Sequence, residues 1–313
     1  MNRASLVLFA CLGLALAAGP NLALAYSQAP QKKKAAAVKK QPHKLLVRKR
    51  SGKATVHDAS HLVVQSAAAL VLDQSTGTVL FEKNAGAVLP IASITKLMTA
   101  MVTLDGRPNL SEMLTISEDD VDTLKGTHSR LRVGTNLNRE DMLRLALMSS
   151  ENRAASSLAS NYPGGRDAFI AAMNRKANEL GLQDTQFSDP TGLTAANVSS
   201  ARDLVKLVAV AHQYPLIREF TTATEYEVRI GGRTQAFHNT NSLVKSASWE
   251  IGLSKTGYIN EAGKCLVMQA WLNNKPTIIV LLDSLGRMTR IGDANRIKRW
   301  VETAALTRLP VSG

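Results

Sequence analysis

The position of the strand-like segments constrains this chain more than any other feature. Apolar runs of strand length occur near the front, at residues 67–72 and 78–82, with the turn-forming Asp73-Gln74-Ser75-Thr76-Gly77 between them. That arrangement reads as a hairpin. Further strand-like runs come at the back, at 225–230, 265–272 and 277–283, and Asn273-Asn274-Lys275-Pro276 supplies the turn between the last two. The interval is helical in pattern. Strands at both ends with helices inserted between them predict one α+β domain with a largely antiparallel sheet.

The helices have readable ends. One runs over 93–104, after Pro90, and stops near Gly106-Arg107-Pro108. Asn138 is placed to cap a second, with Glu140 and Asp141 in the following turn and the body through 142–148. A third spans 167–180 and closes at Gly181, a fourth begins near Ser200 and ends before Pro215, and a last one covers 293–305. The apolar stripes at 98–101 and 143–148 are ordinary core faces.

The net charge of +13 misleads as a global figure. Residues 1–53 hold 11 of the 38 Lys/Arg and none of the 25 Asp/Glu, so the remainder carries 27 basic against 25 acidic residues. The first 25 residues read as a secretory signal peptide, with Arg3, an apolar run at 5–18 and Ala23-Leu24-Ala25 before the cleavage point. Residues 26–58 form a basic linker, rich in Lys, Gln, Ala and Pro, whose composition predicts disorder. Its partner in a secreted chain is anionic wall or membrane surface rather than nucleic acid, or else it is a solvated spacer. The folding domain is residues 59–313. Cleavage leaves Cys265 as the only cysteine, which excludes an intrachain disulfide.

Three short elements carry the chemistry. Ser93 and Lys96 stand three apart at a helix start, which puts both side chains on one face. A serine hydroxyl is a poor nucleophile until a base takes its proton, and a lysine becomes that base when burial or a nearby cation lowers its pKa. Ser150-Glu151-Asn152 lies between two helical runs, and its outer residues are suited to passing a proton and holding an amide. Lys255-Thr256-Gly257 precedes the strand-rich part. There a cation attracts a carboxylate and depresses Lys96, Thr256 hydrogen-bonds that carboxylate, and Gly257 allows close approach of backbone. The chain also contains a decoy, Ser242-Leu243-Val244-Lys245, set aside because it stands before a strand-rich region rather than at a helix start.

S-x-x-K, S-x-N and K-T-G in this order resemble the signature of penicillin-recognising serine peptidases. Over residues 62–306 the chain is similar to the D-alanyl-D-alanine peptidases among the low-molecular-mass penicillin-binding proteins, above all the short endopeptidases of the penicillin-binding protein 7 type. The resemblance extends to Pro90-Ile91-Ala92-Ser93, Tyr162-Pro163-Gly164-Gly165, Asp189-Pro190-Thr191-Gly192-Leu193 and Asn239-Thr240-Asn241. It departs at Glu151, where the usual motif has Asp. It implies that Ser93 is the acylated nucleophile, Lys96 its base, and Ser150 the relay of a proton to the leaving amine. It further implies that Asn152, Lys255, Thr256 and Gly257 bind substrate, and that the backbone N–H groups of Ser93 and Tyr258 form the oxyanion hole. The implied substrates are peptidoglycan stem peptides, the implied inhibitors β-lactams, and the implied compartment the periplasm.

Alternatives within the same fold are a carboxypeptidase that trims terminal D-alanine and a β-lactamase, for which a second base is missing. A non-catalytic wall-binding protein is the alternative from another class, and three intact motifs argue against it. The residues past Gly257 are used up by the final hairpin and helix, with no further β-rich domain, which favours an endopeptidase over a carboxypeptidase. No cofactor or metal is expected: His57 and His61 are four apart but no Glu follows His57 to complete a zinc motif. His238 reads as structural, and Asn197-Val198-Ser199 as an incidental match to a glycosylation triplet.

Overall fold

Asp73 closes the front hairpin by accepting the amides of Ser75 and Thr76 on Oδ1. It joins β1 (Ala68–Asp73) to β2 (Thr78–Lys83), which pair antiparallel. A computed structural model describes residues 62–306 of the chain. The signal peptide, the basic linker, His57 and His61 therefore lie outside the described residues. Those described belong to one compact unit, Val56–Gly313.

After β3 (Leu89–Pro90) the chain makes a single 3-10 turn, Ala92–Thr95, and enters α1 (Lys96–Asp105). β4 (Met113–Thr115) pairs with β5 (Asn136–Asn138). Asn138 then caps α2 (Arg139–Met148), its Oδ1 accepting from the Asp141 amide at 2.7 Å. α3 (Asn152–Ser160) and α4 (Gly165–Glu179) follow. β6 (Val198–Ser199) pairs back to β3, and Ser200 caps α5 (Ala201–Ala211). α6 (Pro215–Thr222) leads to the hairpin of β7 (Glu225–Ile230) and β8 (Arg233–His238). The last strands are β9 (Glu250–Ile259), β10 (Gly263–Leu272) and β11 (Lys275–Ser284), and α7 (Arg287–Leu306) ends the described chain.

The main sheet is antiparallel with strand order β2-β1-β11-β10-β9, so front and back of the sequence meet where Ala68 faces Leu282 and Leu70 faces Val280. Successive residues of a strand point to opposite faces. Leu70, Val267, Ile278 and Val280 therefore face the core shared with α1, α2 and α5, whereas Val71, Met268, Ile279 and Leu281 face Ala294 and Ile297 of α7. Helices on both faces explain why β10 and β11 read as continuous apolar runs rather than alternating ones. Each fully buried Leu, Ile or Val side chain contributes roughly 1.5–3 kcal/mol.

Several boundaries differ from those expected. The helix after Ser200 ends before Pro215 as expected, but Pro215 itself opens a further helix that was not anticipated, because the first helical position has no use for the N–H that proline lacks. The closing helix begins at Arg287, six residues before Asp293. β9 was not legible as a strand, because its middle is Ser254, Lys255 and Thr256, all buried despite their polarity. The Asn273-Asn274 turn is a tight one, with φ +50° and +59° at its two residues. Cys265 is free and buried. Among the described residues no helix is long and apolar enough to cross a membrane.

Candidate active site

Ser93 sits in the 3-10 turn and Lys96 is the first residue of α1. A 3-10 turn has three residues per turn, so side chains at i and i+3 eclipse. That stacking brings Lys96 Nζ to 2.9 Å from Ser93 Oγ. Ala92, just before the serine, has φ +48°, a left-handed conformation that a residue with a side chain rarely adopts. Gly192 packs directly against it: a Cβ there would stand 2.0 Å from the Ala92 carbonyl oxygen.

Lys96 has no exposed surface. Burial drives its pKa down to about 7, against an opposing pull from the Asp189 and Glu151 carboxylates. Its Nζ also lies 2.7 Å from both Asn152 Oδ1 and the Thr191 carbonyl oxygen. A neutral amine has two hydrogens and one lone pair. Two acceptors and one hydroxyl match that inventory, with the lone pair turned toward Ser93.

Ser150 links α2 and α3 with φ +63°. Lys255, on the buried middle of β9, places Nζ 2.9 Å from Ser150 Oγ and 3.0 Å from the Thr256 carbonyl oxygen. Its pKa is held well below the usual lysine value by burial, then by the charges of Lys96 and Arg290. The sequence reading had Lys255 depressing Lys96. Burial is the larger cause for both lysines. Thr256 Oγ1 donates to Thr240 Oγ1 at 2.6 Å. Gly257 stands against the nucleophile's own backbone, and Tyr258, the next residue, is half exposed at the cleft.

All eight residues singled out in the sequence thus converge on one place. The decoy does not join them. Ser242 and Lys245 do form a 3-10 turn, capped by Asn241, so the expectation that no helical start stands there is corrected. Both are exposed, and neither lines the cleft that includes Ser93. Asn197 is fully buried and bonded to Thr95, Ser188 and Asp189, which gives its triplet a packing role. His238, read as structural, is exposed and lines the cleft.

Several supporting residues were not singled out. Asp189 accepts the amides of Thr191, Gly192 and Thr194, fixing the loop whose Thr191 carbonyl meets Lys96. Thr127 accepts from Asn152 Nδ2 at 3.1 Å and donates to Asp122 Oδ2 at 2.7 Å. Glu151 accepts from Ser129, and its Oε1 lies 3.7 Å from Arg130 Nε. These contacts come from loops far away in sequence, and Thr191 uses a carbonyl that any residue carries, so pattern alone does not mark them.

Ser93, Ser150, Thr256, Gly257 and Tyr258 line a cleft of about 520 Å³. Its charged lining is cationic, with Arg130, Lys264, Arg287 and Arg290 and no Asp or Glu. Arg290 is buried and donates to the Cys265 carbonyl at 2.7 Å. An activated serine beside a second hydroxyl, a buried amine and a cationic wall is equipped for acyl transfer from an anionic substrate. Among the described residues no group of three or more His, Cys, Asp and Glu could hold a metal ion.

The fold is that of the DD-peptidases and DD-transpeptidases: a Streptomyces DD-transpeptidase crystal structure superposes with a TM-score of 0.72 at 29% identity, covering 77% of this chain and 98% of that one. The family described as D-alanyl-D-alanine carboxypeptidase matches residues 54–286, and the chain belongs to that family of serine peptidases. It is 51% identical to a D-alanyl-D-alanine endopeptidase of Pseudomonas aeruginosa over 79% of this chain and 80% of the relative. It is 47% identical to the Escherichia coli protein of the same name, over 81% and 83%. A D-alanyl-D-alanine carboxypeptidase of Bacillus subtilis is 33% identical over 74% and 60%.

Proposed function

We propose that the chain is a serine DD-endopeptidase that hydrolyses D-alanyl cross-links in peptidoglycan through an acyl-enzyme on Ser93. The observation that carries this reading is the contact set of Lys96, which is fully buried, lowered to a pKa of about 7, and 2.9 Å from the Ser93 hydroxyl. Lys96 takes the proton as Ser93 Oγ attacks the D-alanyl carbonyl, and the backbone N–H groups of Ser93 and Tyr258 receive the developing oxyanion. Ser150, held by Lys255, passes a proton to the departing amine. Thr256 and Lys255 orient the substrate carboxylate, and Asn152 holds the amide. Water then releases the acyl group and regenerates Ser93. β-Lactams acylate the same serine and are not readily released.

Endopeptidase is favoured over carboxypeptidase by the two relatives near half identity, both named endopeptidases. The enzyme works in the periplasm, residues 1–25 being the export signal, and the basic segment after it adheres to wall or anionic membrane. Digestion of purified peptidoglycan tests the reading. Cross-linked dimeric muropeptides are converted to monomers faster than D-alanine is released from pentapeptide monomers, and mass spectrometry finds the penicilloyl group on Ser93. Release of D-alanine with dimers untouched would move the assignment to carboxypeptidase.

A further inference from the structure

Arg130 forms a wall of two cavities. One is the catalytic cleft. The other, of about 530 Å³, is lined by Arg130, Arg132, Arg233, Thr234 and Gln235 among others, with no Asp or Glu. Arg130 itself is fixed, with its guanidinium 3.7 Å over the Phe237 ring and Nη1 donating to the Ala236 carbonyl at 2.7 Å. Arg233 is the first residue of β8, opposite Ile230, across a turn in which Gly231 and Gly232 both have positive φ. Arg132 and Arg233 are exposed and, among the described residues, neither lies within 4 Å of a carboxylate oxygen.

Two free guanidinium groups beside the fixed Arg130 fit a ligand that offers carboxylates, as a peptide with free carboxyl groups does. Its place relative to the chemistry follows from Arg130, which lines both this cavity and the catalytic cleft that includes Ser150. Ser150 is also the hydroxyl that faces the leaving amine in the endopeptidase mechanism. We infer that the arginine cavity seats the carboxylate-bearing stem peptide that departs with the amine, so that the second strand of a cross-link is recognised by its charge. The inference rests on the endopeptidase reading.

The test uses the mature enzyme and the double variant Arg132→Ala/Arg233→Ala, with the rate of acylation by fluorescent penicillin as the internal reference for the catalytic centre. The ratio of dimer cleavage (kcat/KM) to acylation rate is expected to fall about fivefold or more in the variant. Raising the salt concentration should raise KM for the dimer in the wild type and much less in the variant. Amidation of the free carboxylates on the departing stem should lower cleavage by the wild type and leave the variant unaffected. An unchanged ratio overturns the inference while the endopeptidase reading stands, and so does an equal further loss on the amidated dimer in both proteins. A wild-type enzyme that penicillin acylates but that leaves dimers intact overturns both.

Discussion

Gly257 on β9 lies against the backbone that carries Ser93. A Cβ built at Gly257 would stand 2.8 Å from the Ile91 carbonyl oxygen and 3.2 Å from the Ser93 amide nitrogen. The first distance is shorter than real Cβ contacts, and both neighbours are backbone, which cannot swing aside as a long side chain can. Gly257→Ala must therefore separate β9 from the 3-10 turn and shift Lys255, Thr256 and the Tyr258 amide relative to the nucleophile. A misplacement of about 1 Å can cost around a hundredfold in rate. Acylation by fluorescent penicillin should fall by about that factor while circular dichroism shows a folded protein. Acylation near the wild-type rate would mean that the strand yields without disturbing the site.

Of the strands legible in the sequence, β1, β10 and β11 are buried on both faces, while β2 and β7 are largely exposed. β1, β10 and β11 are apolar because α7 covers one side and α1 and α5 the other. β9 escaped because burial there serves chemistry: Ser254, Lys255 and Thr256 are inside for their hydrogen bonds, not for hydrophobic transfer. The same logic divides the site. Ser93 and Lys96, Ser150 and Asn152, and Lys255 through Gly257 are neighbours in sequence because each pair works from one local backbone feature, and such spacing can be read. Thr127, Asp189 and Thr191 act on those residues across 25 to 95 positions, and only the folded chain brings them near.

The pH profile of acylation should report Lys96. Its amine must be neutral to accept the Ser93 proton, and its pKa is lowered to about 7 by burial. Well below pH 7 the protonated fraction dominates, and the rate should rise about tenfold per pH unit. Above that value the rate should level off, with a single apparent ionisation near 7. Lys96→Arg should abolish this limb together with nearly all acylation, since arginine stays protonated. Stopped-flow or gel-based labelling from pH 5 to 9 measures it. A rate still climbing at pH 9 would contradict a lysine held neutral by burial.

The orientation of Asn152 is set two residues away from the reaction, and Thr127 and Asp122 form the chain that sets it. Burial pushes the Asp122 carboxyl up. Hydrogen bonds from the Lys125, Thr127 and Leu124 amides and from the Thr127 hydroxyl outweigh that, so its pKa ends below the usual aspartate value. At neutral pH Asp122 is therefore ionised and can only accept, and Thr127 must spend its single hydroxyl hydrogen on it. Thr127 is left as an acceptor, and Asn152 must answer with Nδ2. That choice turns Oδ1 toward Lys96, where it receives an amine hydrogen and leaves the lone pair free for Ser93. Thr127→Val keeps the shape but removes the acceptor, so the amide can flip and donate to Lys96 instead, competing for that lone pair. Losing one such bond should slow acylation by about tenfold. The midpoint of the pH profile should also move below its wild-type position, because a donor facing the amine favours its neutral form. Asp122→Asn should act in the same direction, since an asparagine N–H can donate to Thr127 and reverse the chain. Thr127→Ser, which retains the hydroxyl, should restore most of the rate. Normal kinetics with an unshifted midpoint in both Thr127→Val and Asp122→Asn would show that Asn152 is oriented by its own packing and not by this relay.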